Sequence, residues 1–156
     1  AQTSSTGVLQ SVYEMVDMGQ PYLGVTIASV GGSIASNSFV QGMLTLGINP
    51  TLNVKIPNGL IEREFRYQAI RIGKTVIASM PGEPIHEMGL ILKADGRGMG
   101  YDYVIPAGLA NGHGSYFTTP TEYGFGGYEG MASLFGPPGG VILMDSCRLL
   151  MDRLKP

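Results

Sequence analysis

Two apolar stretches, Phe65 to Ile72 and Lys74 to Met80, meet at Gly73 and end on Pro81-Gly82-Glu83-Pro84. No other part of the sequence limits the fold as tightly. Each stretch has the character of a pleated strand, and the glycine between them suits a tight turn, so the pair predicts a hairpin. Pro81-Gly82 closes the second strand. Pro84 predicts a helix start, because its fixed φ suits a first helical position and its missing N–H is not needed there. The helix is expected over Ile85 to Ala94, a turn over Asp95 to Gly100, and a further strand over Tyr101 to Ala110. Strands and helices in that order place the chain in the α/β (or α+β) class, with a mixed β-sheet and helices packed on it.

The flanking segments add elements around that centre. Apolar residues at positions 8, 9, 12, 15 and 16 have helical spacing and predict a helix over Val8 to Met18. Leu23 to Val30 reads as a buried strand, and Ser33 to Gly47 has no clear period. Leu52, Val54 and Ile56 alternate with Asn53, Lys55 and Pro57 as in a half-exposed strand, before a turn at Pro57-Asn58-Gly59. Asn111 to Gly114 is a loop, Pro120 to Leu134 a loop followed by a short helix, and Val141 to Leu154 an amphipathic helix. Glycine accounts for 24 of 156 residues, against a usual ~7%, which implies many tight loops around a site. With 14% charged residues and no Trp, the surface reads like that of an incomplete domain that packs on another chain.

Charge excludes some partners. The formal net charge is −2 and basic residues never adjoin one another, so nothing favours nucleic acid or an anionic membrane. Cys147 is the only cysteine, which leaves no disulfide within the chain and no cysteine-based zinc site. No apolar run reaches the ~20 residues of a membrane span. No uncleaved signal peptide is visible.

Two places hold candidate chemistry. Glu83 follows an apolar strand on a rigid Pro-Gly/Pro frame, at the carboxyl end where α/β folds place ligands. The same residue also reads as a plain helix-start acid that interacts with free N–H groups and the dipole. The loop Asn111 to Pro120 carries His113 between glycines and several hydroxyls, either a mobile polar loop or part of a site. His86, three residues after Glu83, gives a usable metal pair, and Glu83, His86 and His113 together make a third, independent metal possibility. The glycine clusters at 96–100 and 124–127 lack the pattern of a phosphate loop, and no Gly-x-Ser-x-Gly elbow occurs. Methionines 80, 88, 131, 144 and 151 read as core filler.

Met80-Pro81-Gly82-Glu83 resembles the "PGE" motif of neutral (non-lysosomal) ceramidases. Ala107-Gly108-Leu109-Ala110-Asn111 followed by Ser115-Tyr116-Phe117-Thr118-Thr119 is similar to that family's "GL-x-N…Y-x-T-T" segment. Glu122-Tyr123 and Tyr128-Glu129-Gly130 through Gly136-Pro137 continue it as "E-Y…RYE-x-x-S-x-x-GP". Upstream, Ser29-Val30-Gly31-Gly32 and Phe39-Val40-Gln41-Gly42 resemble a glycine-rich segment of the family. The resemblance implies a zinc-dependent amidase that cleaves the N-acyl bond of ceramide or a related N-acyl lipid. It implies Glu83 and Tyr116 as zinc ligands, and Tyr128 as a catalytic tyrosine beside the metal. It also implies that residues 1–156 are the C-terminal portion of the catalytic domain, with the metal-binding segment at 80–137. The nucleophile and two zinc histidines would then come from sequence outside this chain, supplied by a second chain. The family's compartment would be secreted or extracytoplasmic. This sequence departs from the pattern at Pro84, where an aromatic is usual, at Gly126-Gly127, which replaces "QR", and at His113. The alternative is a non-catalytic packing or binding module that retains the fold.

Overall fold

The structure is a computed structural model that describes residues 8–26 and 51–156. The expected segments at 29–32, 33–47 and 39–42 lie outside the described residues. A four-stranded sheet organises the rest. Its strands are β1 (Leu9–Asp17), β4 (Glu64–Ile72), β5 (Thr75–Met80) and β7 (Tyr103–Gly108), in the order β1-β4-β5-β7. The β4–β5 hairpin is present as expected, with Ile72 paired to Thr75 around Gly73 at φ 61°. β5 and β7 run parallel, joined through helix α1 (His86–Gly98), which is a strand–helix–strand crossover. β2 (Tyr22–Thr26) and β3 (Thr51–Lys55) form a separate antiparallel ladder. Two residues each of β6 (Glu83–Pro84) and β8 (Tyr116–Phe117) form a parallel bridge. Short helices α2 (Pro120–Phe125) and α3 (Gly127–Met131) lead to the long α4 (Gly136–Arg153). The mixed sheet with packed helices is the architecture the sequence predicts.

Helix α4 makes one wall of the core. Leu143, Cys147, Leu150 and Met151 recur at helical spacing and are buried, in one cluster with Phe65, Tyr67, Ala69, Val76, Ala78 and Met80 of the sheet. Met80, Met88, Met144 and Met151 fill gaps in it, as expected. Polar groups inside are paired: the Tyr101 hydroxyl donates to the Met151 carbonyl at 2.8 Å, and Tyr67 to the Met18 sulfur at 3.0 Å.

Three expectations change. Val8 to Met18 is not a helix: its Leu9–Asp17 part is edge strand β1, paired along its whole length with β4. Val12 and Val16 turn inward against the core, while Tyr13 and Met15 face outward. Apolar residues on both faces blur the two-residue period into a helical one. Helix α1 runs past Ala94 to Gly98. A side chain at Gly96 would collide with Val104 and Met151, so this glycine permits close helix packing rather than a turn. The stop comes at Gly100, φ 96°, where Tyr101 N–H bonds to Gly96 O and Gly100 N–H to Arg97 O, both at 3.1 Å. Pro84 is not the first helical residue. It lies in β6, and Ile85 is the N-cap.

Candidate functional site

The chain leaves β5 at Met80 and is held by three backbone bonds at the turn. Gly114 N–H donates to Pro81 O at 2.7 Å, Leu109 N–H to Gly82 O at 2.8 Å, and Glu83 N–H to Ser115 O at 2.8 Å. Ile85 N–H then donates to Phe117 O at 3.0 Å. Glu83 and Ile85 thus use their N–H groups on β8, and Pro84, with none to offer, falls between them. Gly82 is required by space. A Cβ there would sit 2.5 Å from both Ser115 O and the Phe117 ring.

The parallel bridge sets Glu83 opposite Tyr116. The loop before Tyr116 is strained: Leu109, Asn111 and Ser115 have φ of 56°, 68° and 63°. Non-glycine residues in that region cost about 1–3 kcal/mol each and concentrate at functional sites. Ser115 is fixed by its hydroxyl, which donates to Ala132 O at 2.7 Å, and Tyr116 N–H reaches the same carbonyl at 3.3 Å. Those bonds tie β8 to the end of α3, which brings Tyr128 to Tyr116. Their rings meet edge-on, with centroids 5.3 Å apart and planes at 76°.

Electrostatics couple the three groups. Hydrogen bonding to the Glu83 carboxylate, followed by desolvation and the negative charge itself, pushes the Tyr116 phenol up to about 12, with Tyr128 adding to the shift. A neutral phenol donates to the carboxylate, whereas a phenolate would be repelled by it. His113 Nε2 lies 3.4 Å from Glu83 Oε1. The structure therefore gathers Glu83, Tyr116, Tyr128 and His113. His86 stays exposed on the first turn of α1, and among the described residues no three His, Cys, Asp or Glu side chains are grouped to hold a cation. The independent Glu83–His86–His113 centre is not assembled. Nor is Glu83 the helix-start acid, since the first-turn acid of α1 is Glu87.

A cavity of about 460 Å³ opens beside Glu83, with Ile85, Leu90, Pro106 and Leu109 as apolar walls and Lys93 and His86 as its basic residues. Nothing in the sequence marks these walls. They come from α1 and β7, and only the crossover brings them together.

This is a mixed α/β unit with a carboxylate, two phenols and an imidazole at the strand ends. The family model described as "Neutral/alkaline non-lysosomal ceramidase, N-terminal" matches residues 47–142. The chain belongs to that family. Neutral ceramidase 1 of Arabidopsis thaliana is 40% identical over 80 residues, covering 45% of this chain and 10% of that protein. The neutral ceramidase of Mycobacterium tuberculosis is 34% identical over 88 residues, covering 53% and 14%. The crystal structure of the neutral ceramidase from Pseudomonas aeruginosa matches 95% of this chain and 28% of that one, with a TM-score of 0.71 and 20% identity. A ceramidase complexed with C2 matches with the same TM-score and identity over 94% of this chain and 30% of that one. These two likenesses show the fold. The matched regions are a small part of each relative's length. No helix among the described residues is long and apolar enough to cross a membrane.

Proposed function

We propose that this chain is one part of a zinc-dependent amide hydrolase of the neutral ceramidase type, which cleaves the N-acyl bond of ceramide or a related N-acyl lipid. Membership of the family supports the reaction class, and the register pairing of Glu83 with Tyr116 carries the site. A carboxylate and a phenol side by side, with an imidazole nitrogen 3.4 Å from the carboxylate, are a donor set that suits zinc. Glu83 and Tyr116 would hold the ion, with two histidines and the nucleophile coming from polypeptide outside residues 1–156. When bound, zinc supplies Lewis-acid polarisation of the amide carbonyl.

This chain's own residues have separate tasks. Before any ion is bound, the Glu83 carboxylate accepts from the Tyr116 phenol and so fixes its orientation. Tyr128, 65% exposed and in edge contact with Tyr116, is placed to donate its hydroxyl proton in a hydrogen bond to the developing oxyanion. The apolar walls of the 460 Å³ cavity are of a size and character that suit an acyl chain. Water adds across the scissile C–N bond to give a fatty acid and an amine.

The test is Glu83→Ala in the complete protein that carries this chain, with metal content and hydrolysis of an N-acyl sphingoid lipid measured together. Loss of both is expected. Unchanged zinc content in the variant would overturn the assignment and favour the non-catalytic packing module.

A further inference from the structure

Among the described residues, none covers one face of the four-stranded sheet. The pairing register lines up Leu9, Ile72, Thr75 and Tyr103 in one row across all four strands, and Ser11, Ile70, Ile77 and Ile105 in the next. The alternate residues Phe65, Tyr67, Ala69, Val76, Ala78 and Val104 point the other way, into the core. Six of the eight residues in those rows are large and apolar. Leu9 is 72% exposed, Tyr103 69%, Ile72 51% and Ile105 48%. Beside them lies a hollow of about 140 Å³ walled by Ile70, Ile77 and Ala107, with Gln68, Ser79 and Asn111 at its polar end. Polar contacts border the rows: Gln68 Nε2 donates to Ser11 Oγ at 2.9 Å, Asn111 Nδ2 to Gln68 Oε1 at 3.3 Å, and Arg66 stacks on Tyr13 at 4.8 Å. An apolar centre with a polar margin is the anatomy of a surface that another body covers.

We infer that the remainder of the ceramidase-type catalytic domain, polypeptide outside residues 1–156, packs on this face as a second layer. One of its apolar side chains fills the Ile70–Ile77–Ala107 hollow. The identity of the occupant rests on the proposed function. Two observations support this occupant. In the solved ceramidases the matching fold takes up only 28% and 30% of the chain, so a far longer polypeptide accompanies it there. The polar end of the open face also reaches Asn111, in the loop that leads to His113 and Tyr116, so a body seated on it borders the half-built site.

Photo-cross-linking tests the inference. p-Benzoylphenylalanine is placed at Tyr103 and, separately, at Leu9, the two ends of one row, where high exposure leaves the fold undisturbed. The complete protein or complex that carries this chain is irradiated, digested and sequenced by mass spectrometry. Cross-links from both positions to ceramidase-type peptides outside residues 1–156 are expected. A cross-link to a second copy of residues 1–156, or no protein cross-link at either position, overturns it. Amidase activity is assayed on the same sample. Expected cross-links without activity leave the docking face standing and refute the function; activity without them refutes the docking face alone.

Discussion

The close approach at Gly82 makes the sharpest prediction. In Gly82→Ala the new methyl lies 2.5 Å from the Ser115 carbonyl oxygen and 2.5 Å from Phe117 Cε2, where ordinary contact begins at 3.4 Å. Neither neighbour yields alone. The Phe117 ring is buried and stacked on Phe135, with centroids 6.1 Å apart and planes at 6°. The Ser115 carbonyl already accepts from Glu83 N–H at 2.8 Å. Strand β8 must retreat by about 0.9 Å to restore contact distance, which stretches that bond beyond the ~3.2 Å limit of a good N–H···O bond. Overpacking costs about 1–3 kcal/mol and the weakened bond about 1 more, while the stiffer unfolded chain returns about 0.4–1. The net loss is about 1–3.5 kcal/mol, or roughly 2–14 °C in Tm for a domain of this size. Thermal and urea unfolding of the purified protein read it directly. The same shift separates Tyr116 from Glu83, so under the proposed function hydrolysis by the complete protein falls about 100-fold, the effect of a ~1 Å misplacement. A Tm within a degree of the parent, or unchanged hydrolysis despite a lowered Tm, would refute the reasoning.

Other positions give contrasting outcomes. Gly89→Ala, within α1 and with its nearest contact an ordinary 3.9 Å from Pro106, raises stability by about 0.5–1 kcal/mol through helix propensity; a lower urea midpoint would contradict the packing described. Cys147 is 1% exposed and burial pushes its thiol up to about 12, so at pH 8 it carries roughly one thiolate in ten thousand. A disulfide reagent at that pH therefore leaves it unlabelled until denaturant is added, and rapid labelling of the native protein would show the core to be open. Thr119 accepts from Glu122 N–H at 3.2 Å as the N-cap of α2. Thr119→Ala should cost about 1 kcal/mol in urea unfolding, and Thr119→Ser almost nothing.

The central hairpin, the helix after Pro84 and the long final helix are legible in the sequence because each buries one face and leaves a period of two or 3.6. Strand β1 is not. Its outward residues Leu9, Tyr13 and Met15 are as apolar as its inward Val12 and Val16, the pattern of a strand meant to be covered on both sides. The α1 boundary fails for a related reason: Gly96 looks like a breaker until Val104 and Met151 are seen in the space where its side chain would be. At the site, Glu83 and Tyr116 are named by motif. That they face one another follows from a two-residue bridge, and no local signal encodes so short a long-range pairing. The contact between His113 and Glu83 depends in turn on the Gly114-to-Pro81 bond, which closes the loop beneath them.

The β6–β8 bridge has a further consequence. Side chains at paired positions of adjacent strands are spaced by the backbone ladder, about 4.8 Å across, rather than by rotamer choice. The spacing of the Glu83 and Tyr116 side-chain roots is therefore a property of main-chain geometry, secured by Glu83 N–H on Ser115 O and Ile85 N–H on Phe117 O. Of the residues that line the neighbouring cavity, Glu83 and Pro84 belong to β6, whereas Ile85, Leu90, Pro106 and Leu109 lie outside that pair of strands. Substitutions at Leu90, Pro106 or Leu109 therefore reshape the cavity without touching the backbone bonds that hold Glu83 opposite Tyr116.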